Sequence, residues 1–251
     1  MKKPLLGLLL FIAAFAVFVI ATLPARFALQ YLPASLPLQL YGVDGTIWRG
    51  EAQQAVWQHQ PVGRLRWRLH PLPLLLGRLR ADVEIDGEAF TARGRIDAHR
   101  DQTIIVRNAI VDADLARLPL PRNLMATPGG KGHANIHHAR IENRWPVELD
   151  ADLRWQPARL LAPFELSLGR AELELGSNGN VVSGDLRGSG ALESNGRLTL
   201  SRNGAFSADL TIAPTDETPR ELRDMLPMLG RPDSRGAVTV RQTMQLRGFP
   251  P

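Results

Sequence analysis

The chain has 251 residues, with 30 Lys and Arg, 25 Asp and Glu and no cysteine. The lack of cysteine excludes disulfides and thiolate chemistry. The arginines are scattered singly along strand-like segments and form no clustered basic stripe, so the sequence argues against a nucleic-acid partner.

The longest apolar segment, residues 5–23, carries no charge and follows Lys2 and Lys3. As a helix it would span roughly 28 Å at about 1.5 Å per residue, close to the ~30 Å hydrocarbon core of a bilayer. A cleaved signal peptide is the alternative, but its apolar region is shorter and ends in a small-x-small site, which residues 22–26 do not provide cleanly. We therefore predict a transmembrane helix over 5–23 and a cytoplasmic tail over 1–4.

The basic residues at the two ends of this segment predict its orientation. Lys2 and Lys3 precede it and only Arg26 follows closely, and positive charge stays on the cytoplasmic side. The N-terminus is then cytoplasmic and the rest of the chain lies outside. Phe27 and Tyr31 suit the water–lipid interface, so residues 24–37 are predicted to form a membrane-proximal collar.

From residue 38 onward, apolar and polar residues alternate in short runs. Residues 79–85 and 90–96 show this pattern on either side of a turn at Gly87, which is typical of a β-hairpin. The same alternation returns at residues 171–175, 198–200, 206–212 and 238–246. We predict an all-β domain over 38–251, built as a curved, mostly antiparallel sheet with one wet face, either an open groove or an incomplete barrel.

Glycines inside the predicted strands, at Gly184, Gly188 and Gly190, predict bulges and strong curvature. A tryptophan followed closely by a proline occurs twice, as Trp67-Arg-Leu-His-Pro71 and as Trp155-Gln-Pro157, and this Trp–Pro echo raises the question of two similar halves, 38–120 and 144–251. Chance recurrence explains the echo equally well. The intervening stretch, residues 118–143, is rich in Pro, Gly and His and is predicted to be the least ordered join.

Two segments predict short helices. Residues 71–79 carry several leucines behind Pro71 and form an apolar turn or helix that can cap a sheet end. Thr218-Pro-Arg-Glu221 matches a capping box with Pro at the first helical position, and Gly230 closes the apolar pattern that follows.

The sequence contains no complete catalytic or metal-binding pattern. His133, His137 and His138 lie close together, but no nearby carboxylate completes a zinc set. The glycines at residues 129–132 lack the spacing of a phosphate-binding loop, and Ser189 lacks the glycine spacing of a nucleophile elbow. We therefore predict no catalytic residue, no cofactor site and no metal site, and thus a protein that is not an enzyme.

The segment from residue 40 to residue 52 combines more glycines and apolar residues than an ordinary surface loop does. Its glycines and apolar residues predict a strand, a sharp turn and a second strand, with a tryptophan that must be buried or must dock. Either this tryptophan fills the core or it contacts a partner, and both alternatives stay open. The candidate turn or docking motif consists of Gly42, Gly45, Trp48, Arg49 and Gly50.

The chain resembles a known family, the type II secretion system protein N of Gram-negative bacteria, over nearly its whole length. The resemblance rests on the N-terminal apolar segment and four motifs: Leu23-Pro-Ala-Arg26; Gly42-Val-x-Gly-Thr-Ile-Trp-x-Gly50 with Ala52; Leu65-x-Trp-x-Leu-x-Pro71 with Leu75, Leu76 and Gly77; and Leu226-x-x-Leu-Gly230-x-Pro-Asp233 with Gly236. Within these, Trp67, Pro71, Leu75, Leu76 and Gly77 form a candidate structural motif.

The resemblance implies a single-pass inner-membrane protein whose periplasmic domain works with other components of the machine that exports folded proteins across the outer membrane. No catalytic residues come with it. The pattern is also similar to membrane-anchored periplasmic proteins with long curved sheets, so the alternative function is a groove that binds or carries phospholipid.

Overall fold

The computed structural model describes residues 11, 15, 18–29, 38–118, 127–162 and 165–246, without the side chains of residues 28, 29 and 221. Within these ranges no helix has both the length and the apolar character needed to cross a membrane. Residues 18–22 are helical. The predicted tail 1–4 and most of the predicted span 5–23 lie outside the described residues, so both stay predictions.

Besides the helical segment at residues 18–22, the described part of the chain forms three short helices and fourteen strands. The helices are α1 (Ala25–Leu29), α2 (Pro71–Leu75) and α3 (Arg220–Leu229). The first seven strands are β1 (Leu38–Gly45), β2 (Arg49–Trp57), β3 (Gln60–His70), β4 (Arg78–Asp86), β5 (Phe90–His99), β6 (Ile104–Asp114) and β7 (Thr127–Gly129). The other seven are β8 (Lys131–Glu142), β9 (Trp145–Ala162), β10 (Leu166–Asn178), β11 (Val181–Ser189), β12 (Leu192–Ser201), β13 (Ala205–Pro214) and β14 (Val238–Gln245).

All fourteen strands belong to one antiparallel sheet, in which successive strands along the chain are neighbours. The exception is β7, which pairs with the far end of β9, while β8 pairs with the near end and is inserted between β6 and β9. The predicted all-β antiparallel class is confirmed, and so is the hairpin of β4 and β5. The sheet is open within the described ranges, because β1 pairs on one side only and β14 does so apart from an isolated bridge between Val238 and Pro232.

The two faces of the sheet differ in chemistry. One line of directly opposed residues crosses all the strands except β7 and is apolar apart from one glycine; we call it the apolar row. Opposed residues in an antiparallel pair share a face. The apolar row consists of Val43, Ala52, Leu65, Ile85, Ala92, Val111, Ala134, Leu153, Leu173, Leu186, Gly196, Leu210 and Val240.

An adjacent line on the opposite face is polar at every position but one; we call it the charged row. Alternation along each strand produces this reversal, since successive side chains point to opposite faces. The charged row consists of Asp44, Glu51, Arg66, Glu84, Arg93, Ile110, Asn135, Asp152, Glu174, Asp185, Arg197, Asp209 and Arg241.

The apolar face is buried by the curvature of the sheet and by its own side chains, since no described helix or strand lies across it. Small residues on it are almost inaccessible: Ala52 is 0% exposed and Ala151 is 2% exposed. The larger residues, such as Leu173, are half-buried. Cα atoms of β9 and β11 approach within 8 Å although β10 separates them, whereas a flat sheet would hold them about 9.6 Å apart.

The predicted bulges at Gly184 and Gly188 are wrong, because β11 pairs with β10 and β12 in unbroken register. Glycine serves a different purpose there: a Cβ on Gly184 would lie only 3.0 Å from Leu173 Cδ1. Gly190 follows the end of β11 with φ +134° and faces Gly169, where the register between β9 and β10 does shift. Small residues on the apolar face thus leave room for the large side chains of leucines to lie across it.

The prediction that residues 118–143 form the least ordered join is wrong for residues 127–142, which form β7 and all of the central strand β8. Its glycines allow close backbone contact: a Cβ on Gly130 would lie 1.8 Å from the carbonyl oxygen of Pro157. Residues 119–126 lie outside the described part of the chain. The Pro-, Gly- and His-rich composition is therefore typical of a loop, although residues 127–142 form strands that approach β9 closely.

The division into halves 38–120 and 144–251 stays a prediction. In the described part of these halves β6 pairs with β8 and β8 with β9, so they belong to one continuous sheet. The Trp–Pro echo does not correspond to a shared conformation, because Pro71 begins α2 whereas Pro157 lies within β9.

The helix predicted after Thr218 is confirmed as α3, but the predicted capping box is wrong. Pro219 occupies the N-cap position and no side chain caps the helix. The Thr218 hydroxyl instead donates to the carbonyl of Ala191 (2.5 Å) and accepts from the backbone N–H of Thr215 (2.6 Å). It ties the loop before α3 to the turn between β11 and β12.

Candidate functional site

The candidate motif forms the tight turn that joins β1 to β2. Gly45 ends β1 with φ +87°, and its added Cβ would lie 2.6 Å from the carbonyl oxygen of Arg49. A Cβ on Gly50 would lie 2.5 Å from Cζ2 of Trp67. Gly42 also has a positive φ of +63°, but only the side chain of Gln53 lies near it. Backbone geometry thus requires glycine most strictly at the two ends of the turn.

Trp48, at the tip of this turn, is half-buried and contacts the N-terminal helical segment of its own chain. Its indole Nε1 donates to the carbonyl of Ile20 at 2.7 Å, and the backbone N–H of Ile47 donates to the carbonyl of Leu23 at 3.0 Å. The last carbonyls of a helix have no partner within the helix, so these two donors satisfy them. We call this contact the helix joint.

Trp67 supports the helix joint from the neighbouring strand. Its ring packs beside Gly50, and its indole Nε1 donates to the carbonyl of Ile47 at 3.2 Å. The backbone N–H of Leu69 donates to the carbonyl of Trp48 at 2.7 Å. The structure therefore brings together Trp48 and Trp67, which belong to separate sequence motifs. Arg49, the fourth residue of the turn motif, is exposed.

The remainder of the second motif forms the connection between β3 and β4. Pro71 begins α2, which is shorter than the predicted segment 71–79 because β4 already starts at Arg78. Gly77 turns the chain with φ +71° beside the guanidinium of Arg100. The leucines in this connection are exposed, with Leu75 at 83% and Leu76 at 77%.

One carboxylate on the charged face is buried, and the sequence did not single it out. Asp97 is 3% exposed; it accepts from Nε of Arg80 at 2.5 Å and from the guanidinium of Arg107. Burial alone raises the pKa of Asp97, but the hydrogen bonds and positive charges of the two arginines outweigh it and hold that pKa below its usual range. Alternation predicts an acidic residue here but gives no sign that two arginines cover it.

The histidines of β8 pair with carboxylates on neighbouring strands. His133 lies 2.7 Å from Asp112, and His137 lies 2.8 Å from Asp152; His138 pairs with Glu148 at 3.1 Å. The hydrogen bond to Asp152 raises the pKa of His137. Among the residues that the structure describes, no three potential ligands gather in a way that could hold a metal ion.

The apolar face contains a pocket of about 330 Å³ near the middle of the sheet. Its lining is dominated by apolar residues of the central strands, and Leu115 closes it from the segment after β6 by packing beside Gly132. The Trp155 indole at its edge donates to the carbonyl of Gly129 at 2.8 Å. The side chains that matter most for its apolar character are Val111, Leu115, Leu153, Trp155, Leu173 and Leu186.

These features define a class of protein: a single-layer antiparallel sheet, apolar on one face and charged on the other, joined by a glycine turn to a helical segment. Residues 37–241 match the family model described as Type II secretion system (T2SS), protein N. The chain therefore belongs to the type II secretion system protein N family.

Three curated relatives bear the name Type II secretion system protein N. The protein of Vibrio cholerae serotype O1 is 30% identical over 95% of this chain and 97% of its own length. That of Aeromonas hydrophila is 30% identical over 96% and 98%, and that of Klebsiella pneumoniae is 25% identical over 96% of each chain. No solved structure matches the chain.

Replacing Trp48 with Phe tests the helix joint. The substitution keeps an aromatic ring but removes the indole donor to Ile20, and one neutral hydrogen bond contributes about 1 kcal/mol, or roughly fivefold in a local opening equilibrium. Arg26 lies three residues after Leu23, so opening of the helix joint should expose the chain around it to protease. Trypsin cleavage after Arg26 should therefore become roughly fivefold faster in mild detergent. Trp57→Phe, at a site 45% exposed, is the matched control and should leave the rate unchanged; equal rates in the two variants would contradict the joint.

Replacing Asp97 with Asn tests the buried carboxylate. At pH 7 the variant should lose about 1–3 kcal/mol of unfolding free energy, because two charge-assisted hydrogen bonds are lost. The folded-state pKa of Asp97 is lowered, so the stabilisation is present above the unfolded pKa of about 3.9 and disappears as the pH falls through the lower folded value. Urea unfolding of the parent and the variant at a series of pH values from 7 to 3 should show their unfolding free energies converging as the pH falls. Asp86→Asn, at an exposed site, should differ from the parent by less than about 0.5 kcal/mol; an equal loss in both variants would refute the role of the arginine pair.

Proposed function

We propose that the protein is a non-catalytic component of the type II secretion system, anchored in the inner membrane by one transmembrane helix over residues 5–23. Its N-terminus lies in the cytoplasm and its sheet lies in the periplasm, where it assists the export of folded proteins across the outer membrane. The observation that carries this proposal is the family match over residues 37–241, which spans nearly the whole sheet.

The helix joint supports the anchored arrangement. Ile20 and Leu23 belong to the apolar segment, and their carbonyls accept hydrogen bonds from the turn between β1 and β2. These bonds hold the end of the helical segment directly against the turn between β1 and β2. The anchor would thus position the sheet next to the membrane surface, as expected for a component of a membrane-spanning machine.

The charged face supports a non-catalytic role. Its acidic side chains form ion pairs with residues on adjacent strands, for example Arg197 with Asp185 at 2.7 Å and Arg95 with Asp82 at 2.8 Å. Such pairs satisfy the carboxylates and fix the register of the strands. Although burial opposes it at Asp82, these ion pairs hold the pKa values of Asp82 and Asp185 below their usual range, so neither carboxyl group keeps a proton that it could give as a general acid near pH 7.

The outer edge of β14 is the surface we assign to contact with other secretion components. An exposed edge offers unpaired backbone groups to which a partner strand can add. Leu246 donates its N–H to Gly204 at 2.8 Å and the pairing of β13 with β14 has no register shift. The N–H groups of Arg241 and Thr243 therefore face away from β13, beyond the isolated bridge that Pro232 makes to Val238 at the start of the strand.

Thr243→Pro tests this edge. Proline removes an outward N–H without breaking a bond to β13, and edge strands tolerate it in that position. Affinity purification of the full chain from its own membranes in mild detergent should recover other secretion components. The proline variant should recover at least about tenfold less of them, equivalent to about 1.4 kcal/mol, while Thr243→Val should match the parent.

The purification separates several outcomes. Unchanged recovery by Thr243→Pro would contradict the β14 edge while leaving the role in secretion intact. If the parent recovered no secretion component, and deletion of the protein left secreted hydrolases fully exported, the proposed function would be wrong. Folding of both variants is checked by their urea midpoints.

The alternative function is a phospholipid-binding groove, and the apolar row with its 330 Å³ pocket is the observation that favours it. The pocket volume lies at the lower end of the range for small-molecule sites. Mass spectrometry of the same eluate distinguishes the two functions. Stoichiometric phospholipid without secretion components would support the groove, whereas secretion components without stoichiometric lipid would support the secretion role.

A further inference from the structure

The connection between β3 and β4 exposes four leucines, which we call the leucine tip: Leu72, Leu74, Leu75 and Leu76. Leu72 is 75% exposed, Leu75 is 83% exposed and Leu76 is 77% exposed. Single exposed apolar residues are common on proteins, but a cluster of leucines on one short turn marks an interaction surface.

The leucine tip lies at the same end of the sheet as the helix joint. Leu69 donates its N–H to the carbonyl of Trp48, whose indole donates to the carbonyl of Ile20. Leu72 is three positions after Leu69, and three residues extend at most about 11 Å. The tip is therefore held a short distance from residue 20 of the apolar segment.

The opposite ends of the same strands are polar, which makes the leucine tip distinctive. The turn between β2 and β3 contains Gln58 and His59, and the turn between β4 and β5 contains Glu88, all of them exposed. Arginines flank the tip instead: Arg78 follows it, and Arg100 packs beside Gly77. Leucines with adjacent arginines match the chemistry of a surface that dips into lipid beside anionic headgroups.

We propose that the leucine tip inserts into the interface of the same bilayer leaflet from which the N-terminal helix emerges. This inference rests on the proposed membrane anchor. A second contact beside the helix joint fixes the tilt of the sheet, since one helix alone leaves rotation about its own axis free. The leucine tip and the helix joint thus act as two fixed points at one edge of the sheet.

Fluorescence quenching in vesicles tests the insertion, and the absence of cysteine makes the labelling specific. The full chain carrying Leu75→Cys is labelled with the fluorophore NBD and reconstituted in phosphatidylethanolamine–phosphatidylglycerol vesicles, with or without a spin-labelled phospholipid as quencher. Met228→Cys on α3 is the matched control, because Met228 is also apolar and also 83% exposed but lies at the opposite end of the strands. Leu76→Cys provides a second position if the first variant folds poorly.

The spin-labelled lipid should lower the emission of the Leu75 label by roughly half or more, because an interfacial label lies within reach of the quencher. The Met228 label should stay almost unquenched. Equal, weak quenching of both labels in chains that float with the vesicles would overturn the insertion and leave the anchor standing; the leucine tip would then be free for a protein partner. Chains that fail to float with the vesicles would overturn both the anchor and the insertion.

Discussion

Hydrogen bonds from the indole of Trp48 to Ile20 and from the backbone N–H of Ile47 to Leu23 connect the sheet to the N-terminal helical segment, beside an isolated bridge between Thr46 and Pro24. They depend on a turn that only glycine can make at Gly45, because any side chain there would collide with the opposing backbone. In the proposed arrangement this contact determines where the whole sheet stands relative to the membrane. Without it, the apolar segment and the turn between β1 and β2 would lose the hydrogen bonds that hold them together.

The sheet itself is one layer thick, and this constraint explains much of its sequence. A single layer has no second layer to cover its apolar face, so burial comes from curvature and from large side chains that cross over small ones. The close approach of β9 and β11 shows the curvature. Gly184, whose added Cβ would lie 3.0 Å from Leu173, shows a large side chain crossing over a small residue. The opposite face is kept soluble by rows of charge that pair across the strands, and each such pair contributes little stability by itself.

The alternation of apolar and polar residues was sufficient to predict the all-β class, the antiparallel pairing and the hairpin of β4 and β5, because a period of two directly specifies one wet face. It failed where composition resembled a loop: Gly130, between β7 and β8, allows the backbone of Pro157 to approach closely, and the histidines of β8 pair with carboxylates on neighbouring strands. The glycine turn could be predicted, but the target of Trp48 could not, since a contact between Trp48 and Ile20 leaves no local signal in the sequence. The burial of Asp97 under two arginines depended in the same way on strand register.

The exchange rate of the Trp48 indole proton tests the central claim most directly. The full chain is labelled with ¹⁵N-tryptophan in lipid nanodiscs, and the Trp48 signal is assigned by its loss in Trp48→Phe. A hydrogen bond to Ile20 predicts that this proton exchanges with solvent many times more slowly than the indole proton of Trp57, whose side chain is exposed. Exchange as fast as that of Trp57 would mean that the turn does not hold the helix end, and the position assigned to the sheet would then be wrong.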